Sequence, residues 1–313
     1  MVYQEYLKSL PLEDQPFSLN QHGPIFIMGC PRSGTTFLSE CLGVIDNIEE
    51  FVGVLVPPRF MHLVGKTGDP CQKQMLLQII QDIFWQAFWR RRYFSTEKVA
   101  QVIGGNKNSL HLLKKSSLEN ILFLYKEPFL CFAAQDFFDF FPNAKFIHII
   151  RDGRDNADSL ERGYPDALSD KVLSNEFLAL NKNSEIGFFR EYAGQFVPWW
   201  VKNGEEDVFL KSPRYARCIL LWKEMVIRGR SLNKYGDERY LEIRYEDFVR
   251  YPFEKSELIL NYLGFELNTK MSRKLRQAFP RSIGISKKNQ NKETLDLAYK
   301  FAGDLLEDLG YSA

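Results

Sequence analysis

Short apolar runs bounded by turn residues alternate along the chain with longer stretches whose apolar positions recur every three or four residues. The runs predict buried strands at 25–28, 121–125, 145–150, 208–210 and 240–245. The periodic stretches predict helices at 72–94, 176–196, 218–226, 255–263 and 294–309. In the first of these, Leu76, Ile79, Ile80, Ile83, Phe84 and Ala87 share a broad apolar face. Strands alternating with helices predict an α/β fold, a central parallel sheet flanked by helices on both faces. Ligands in such folds sit at the carboxyl ends of the strands. No internal repeat or low-complexity linker interrupts the pattern, so one domain over 1–313 is expected.

Composition narrows the function classes. Among 313 residues, 41 Lys and Arg face 40 Asp and Glu, for a formal charge of +1. That balance excludes nucleic-acid binding by bulk charge. The 26 Phe residues predict a large aromatic core or an apolar pocket. The five cysteines form no CxxC pair or Cys/His cluster, so neither a disulfide framework nor a metal site is expected. Residues 1–21 carry Glu5, Glu13 and Asp14 and no apolar signal core, and no apolar run approaches 18 residues. The expectation is a cytoplasmic protein with no membrane segment, as a monomer or a homodimer.

The sharpest local signal follows the first strand. Gly29-Cys-Pro-Arg-Ser-Gly-Thr-Thr36 places two glycines five apart, the spacing of a P-loop, and runs into an amphipathic helix. Glycines let backbone amides turn inward around an anion, and the helix N-terminus adds its positive end. Thr35 and Thr36 are expected to cap that helix and donate to phosphate oxygens. Thr35 stands where a P-loop has Lys, and the cation is Arg32 inside the loop. Phosphate is therefore expected to be gripped without the usual Lys–Mg²⁺ arrangement. The alternative reading is a strand–turn–helix corner whose glycines serve packing. A second strand, 145–150, ends in Arg151-Asp-Gly-Arg154, and a helix start follows. Arg151 at the strand end and Ser159 two turns into the helix suit a second phosphate; a surface Arg–Asp network is the alternative.

Together these motifs resemble the sulfotransferases that use 3′-phosphoadenosine 5′-phosphosulfate (PAPS). The resemblance implies a P-loop-like sheet in which Arg32, Ser33, Gly34, Thr35 and Thr36 bind the 5′-phosphosulfate. Arg151 and Ser159, eight residues apart, would bind the 3′-phosphate. Tyr125-Lys-Glu-Pro-Phe129 and Phe141-Pro-Asn-Ala-Lys-Phe146 are similar to the protein-tyrosine sulfotransferase branch. The segment from Arg244-Tyr245-Glu-Asp resembles a family strand end. Arg281-Ser282-Ile-Gly284 with Lys287 and Lys288 resembles the C-terminal cofactor clamp, and Leu309-Gly-Tyr311 resembles bacterial members. Tyr245, Ser282 and Lys288 are thereby implied at the cofactor. The implied cofactor core covers about 24–58, 120–162 and 218–290. A mostly helical acceptor side covers about 60–118 and 163–217.

The chemistry implied is in-line sulfuryl transfer from PAPS to an acceptor hydroxyl, leaving PAP, with no metal. The small-molecule branch carries its base in a Lys-Thr-His segment, but here the residues are Lys126-Glu127-Pro128. The tyrosine-sulfating branch uses a Glu soon after the phosphate-loop helix, where this chain has Glu49 and Glu50. The expected catalytic residues are thus Arg32, Lys126 and, as base, Glu50. Glu49, His62 and His111 are the alternatives. His148 lies inside a strand and is expected to be a core residue, and His22 a surface one. The expected acceptor is a small molecule such as a specialised metabolite, with a peptide tyrosine as runner-up. A P-loop nucleotide kinase is disfavoured by Thr35 and by the lack of a Walker B Asp, and a non-catalytic nucleotide binder is the third alternative.

Overall fold

Aromatic and aliphatic side chains segregate to opposite faces of one parallel sheet. The computed structural model describes residues 23–51, 55–93, 122–179, 189–236 and 238–311. The strands are β1 (Ile25–Met28), β2 (Ile48–Phe51), β3 (Leu122–Lys126), β4 (Lys145–Ile150), β5 (Phe189–Tyr192), β6 (Gln195–Pro198) and β7 (Tyr240–Arg244). Five of them form the sheet, in the order β2-β3-β1-β4-β7, and every neighbouring pair is parallel. Residue alternation puts Phe26, Phe123, Tyr125 and Phe146 on one face and Ile25, Ile27, Leu124, Ile147 and Ile149 on the other. Phe26 touches the rings of Phe84, Phe137, Phe141 and Phe146, so the phenylalanine excess is spent on a core.

The helices used below are α1 (Thr35–Leu42), α2 (Arg59–Lys66), α3 (Pro70–Tyr93), α4 (Gly153–Gly163), α5 (Glu206–Lys211), α6 (Arg214–Arg230), α7 (Pro252–Leu263) and α8 (Lys292–Asp308). The aliphatic face is covered by α1 and α7, and the aromatic face by α2, α3, α6 and α8. Among the described residues no helix is long and apolar enough to cross a membrane.

The topology locates the site. From β1 the chain leaves through α1 toward β2 at one edge. From β4 it leaves through α4 toward β7 at the other. Adjacent strands whose connections part in opposite directions open a crevice at their carboxyl ends. Here that crevice lies between the loop after Met28 and the turn after Ile150.

Two expectations need correction. The run at 208–210 belongs to α5, not to a strand. Three apolar residues carry no period, whereas Glu206 and Asp207 in the first turn and Lys211 in the last suit a helix dipole. The stretch 176–196 is not one helix, because β5 and β6 form an antiparallel hairpin. Ala193 and Gly194, at φ +49° and +76°, make its two-residue turn. Residues 180–188 of that stretch lie outside the described residues. The segment around Glu49 and Glu50, to which the apolar pattern assigns no element, is the edge strand β2.

Candidate functional site

The loop after β1 is shaped by close approach. Gly29 has φ +150°, and a Cβ there would lie 2.3 Å from the Ile149 carbonyl oxygen. Gly34 has φ +93°, and a Cβ would lie 2.5 Å from the Tyr245 ring. Between them Arg32 adopts φ +75°, a left-handed conformation that costs a non-glycine residue about 1–2 kcal/mol. Gly34, not a threonine, is the N-cap of α1, so no side chain caps that helix. The expected capping by Thr35 or Thr36 is thus corrected. The first-turn amides stay available to an anion.

Helix α4 supports this strained loop. Asn156, fully buried, donates through Nδ2 to the Pro31 carbonyl at 3.0 Å and to Ser33 Oγ at 2.9 Å. Those are the two residues flanking Arg32. Arg151 Nη1 donates to the Arg32 carbonyl at 3.1 Å, and Arg32 Nε donates to Ser159 Oγ at 3.0 Å. Arg151 also reaches the segment near 282. Its Nη2 donates to the Ser282 carbonyl at 2.7 Å, and its guanidinium lies 4.9 Å from the centre of the Tyr245 ring. The Tyr245 and Ser282 hydroxyls are 2.7 Å apart. Behind the site, Trp222 Nε1 donates to the Arg151 carbonyl at 3.0 Å. The Asp152 amide and the Tyr311 hydroxyl donate to the Glu246 carboxylate, each at 2.9 Å. Burial raises the Glu246 pKa.

These groups border a cleft of about 710 Å³. Arg32, Lys126, Arg151, Arg162 and Arg281 line it, and among the described residues no carboxylate does. Gly34, Thr35, Thr36, Ser159, Tyr245 and Ser282 supply backbone or hydroxyl groups to the same walls. Arg151 Nε is buried with no acceptor among the described residues. A cleft of this charge, with an orphaned guanidinium donor, fits a ligand carrying more than one anionic group. Among the described residues no group of three or more His, Cys, Asp or Glu is placed to hold a metal ion.

Nine of the twelve expected site residues therefore converge: Arg32, Gly34, Thr35, Thr36, Lys126, Arg151, Ser159, Tyr245 and Ser282. Three do not line the cleft. Ser33 is buried behind the loop against Asn156. Lys288 is exposed on the short helix Ser286–Asn289. Glu50 lies on the α1 face of β2, where its carboxylate accepts from the Ser39 hydroxyl and packs on Gly43, at the carboxyl end of α1. The expectation of Glu50 as the base is corrected in position: strand alternation turns it beneath the helix with Ile48, away from the cleft walls. Glu49, on the opposite face with Phe51, does not line the cleft either.

Two cleft cations went unassigned in the sequence. Arg162 follows Ser159 by three positions on α4, so helical spacing places both on one side. Arg281 precedes Ser282 within the clamp motif itself. Of the histidines, His62 is fully buried between Phe129 and Phe132, and its Nδ1 accepts from Trp199 Nε1 at 2.9 Å. His148, as expected for a core residue, is fully buried, with Nδ1 2.8 Å from the Tyr240 hydroxyl. His22 and His111 lie outside the described residues.

The same geometry coincides with a family match. Residues 24–164 match the profile of the Sulfotransferase family. This segment is similar to the sulfotransferases. It carries the phosphate loop, Lys126, Arg151 and Ser159. No curated protein matches the chain in sequence. Among solved structures, the sulfotransferase domain from the Synechococcus PCC 7002 olefin synthase is 18% identical, over 90% of this chain and 94% of that chain, with a TM-score of 0.49. Sulfotransferase STF9 from Mycobacterium avium is 15% identical, over 98% and 81%, with a TM-score of 0.49. Retinol dehydratase in a complex with retinol and PAP is 17% identical, over 97% and 86%, with a TM-score of 0.43.

Proposed function

We propose that the chain, as one domain, transfers the sulfuryl group of PAPS to a hydroxyl of a small molecule and releases PAP. The observation that carries this reading is the cleft at the β1/β4 crevice, lined among the described residues by five cations and no carboxylate. In this scheme Arg151, Ser159, Tyr245 and Ser282 hold the 3′-phosphate. The α1 amides with Thr35 and Thr36 hold the 5′ side. Sulfuryl transfer resembles phosphoryl transfer, a loose in-line displacement with charge spread over peripheral oxygens. Arg32 and Lys126 neutralise the charge that develops on the bridging oxygen. Glu50 enters as a support of α1 rather than as the base.

Thermal unfolding with PAP and with ATP–Mg²⁺ tests the donor. A ligand at 100 times its Kd stabilises by about 2.7 kcal/mol, and PAP is expected to do so while ATP–Mg²⁺ adds much less. Greater stabilisation by ATP–Mg²⁺ would make the chain a nucleotide kinase. Radiolabelled PAPS offered with small phenols and alcohols, and separately with tyrosine peptides, then identifies the acceptor class. PAP binding with no labelled product from any acceptor would leave a non-catalytic nucleotide binder.

A further inference from the structure

Helix α6 backs the anion cleft on one side and lines a second cavity on the other. Trp222 lies on the side that supports Arg151, whereas Leu220, Lys223, Glu224 and Ile227 form a stripe about 150° round the helix. That stripe faces Val208 of α5, Trp200 just after β6, and Phe301 of α8, across a cavity of about 390 Å³. The size falls within the roughly 300–1,000 Å³ that holds small ligands.

We infer that this second cavity binds a small amphipathic anion, an apolar ring or chain carrying one carboxylate, sulfate or sulfonate. The apolar part is read from Val208 and Ile227, which leave 51% and 48% of their surface open on walls where Leu220 and Phe301 are partly covered. The anionic part is read from the donors. Lys202 and Lys300 line the cavity, are exposed, and form no ion pair among the described residues. The Trp200 indole sits in the wall with its Nε1–H buried and without an acceptor among the described residues.

The remaining charges do not cancel these donors. Lys223 donates to the Phe301 carbonyl at 2.7 Å, and Glu224 is engaged by Arg228 at 2.6 Å. Glu205 is the one lining carboxylate left without an ion pair among the described residues. A cationic ligand would meet that carboxylate against two lysines. A neutral one would gain nothing from the lysines. This inference is independent of the proposed sulfuryl transfer.

Calorimetry and tryptophan fluorescence on the full chain test it, with naphthalene-1-sulfonate, naphthalene-1-carboxylate and neutral 1-naphthol as probes. Both anions are expected to bind saturably at one site, and 1-naphthol at least about tenfold more weakly. The ratio of the two anion affinities distinguishes sulfate-like from carboxylate ligands. Ile227→Asp and Lys300→Glu are exposed substitutions, expected to weaken the anions about tenfold or more without moving the unfolding midpoint. If Ile227→Asp lowers the midpoint, Val208→Asp on the facing wall decides instead. Absence of saturable binding, equal affinity for 1-naphthol, or affinity unchanged in the variants would overturn the inference. So would competition by PAP, which would place the probe in the anion cleft.

Discussion

Asp155 holds Ser286 through two hydrogen bonds to one oxygen. Its Oδ1 accepts from the Ser286 amide at 2.9 Å and from the Ser286 hydroxyl at 2.7 Å. Its Oδ2 accepts from the Gly284 amide at 2.6 Å. These bonds fasten the segment that carries Ser282 to α4, beside Arg151, whose Nη2 is 3.9 Å from Asp155. In Asp155→Asn the volume stays, but one acceptor becomes an NH₂ group facing a donor. An unsatisfied buried donor costs about 1–3 kcal/mol. If that cost falls on the closed clamp, PAP affinity should drop about tenfold, read by calorimetry. Trypsin gives a ligand-free check, since Arg281, Lys287 and Lys288 are exposed on the fastened segment. Cleavage there should be faster in the variant. Unchanged cleavage and unchanged PAP affinity would show that the fastening is idle.

Arg151 joins the two halves of the cleft, donating to the Arg32 carbonyl on one side and the Ser282 carbonyl on the other. A lysine has one nitrogen and cannot span both with the planar fork of a guanidinium. Arg151→Lys should therefore keep the charge and still weaken PAP about tenfold or more. Arg151→Ala should weaken PAP further and also lower the unfolding midpoint, because Asp155 then loses its nearby cation in a buried setting. Wild-type PAP affinity in Arg151→Lys would remove the bridging role.

The strands at 25–28 and 145–150, and the glycine-bounded loop between β1 and α1, were legible because each is a local pattern with a sharp end. Their meeting was legible through topology, since an α/β sheet brings strand ends together. What failed was decided by tertiary contacts. The hairpin around Gly194 hid inside a stretch with accidental helical spacing. Glu50 looked chemically apt by its position after α1, but strand parity and the Ser39 hydroxyl decide where its carboxylate goes. Lys288 was chosen from a basic pair in the clamp motif, whereas Arg281, on the other side of Gly284, reaches the cleft. Gly284, at φ +72°, turns the chain between them.

Glu50 gives a sharp test of that correction. Glu50→Gln keeps an oxygen for the Ser39 hydroxyl and removes the carboxylate. A general base contributes about 10²–10⁴ in rate, so a base at this position would leave almost no turnover in the variant. The position beneath α1 predicts instead that Glu50→Gln binds PAP normally and retains turnover once an acceptor is in hand. Glu50→Ala strands the buried Ser39 hydroxyl, and urea unfolding should show a loss of about 1–3 kcal/mol. A drop in turnover of a hundredfold in Glu50→Gln, with PAP affinity intact, would restore it as the base.

The last prediction is acid lability set by two buried histidines. Burial, with Arg228 nearby, lowers the pKa of His62 to about 3. Burial, with Arg230 nearby, lowers that of His148 to about 3. In the unfolded chain both titrate near 6.5. Between pH 6.5 and 3 the unfolded state therefore holds more protons, so stability rises with pH and is lost on acidification. The contribution is fully present above about pH 6.5 and fades as pH falls toward 3. Each histidine adds a slope of up to about 1.4 kcal/mol per pH unit within that window. Urea midpoints at pH 7, 6, 5 and 4 should fall accordingly, and carboxylates add their own loss only at the lower end. His62→Phe separates the histidine share. It leaves Trp199 Nε1 without its acceptor, so stability at pH 7 should fall by about 1–3 kcal/mol. Its loss between pH 6.5 and 5 should nevertheless be shallower than in the wild type, because one of the two groups no longer takes up a proton on unfolding. An equally steep loss in His62→Phe would mean that His62 is already protonated in the folded protein, contrary to its burial between Phe129 and Phe132.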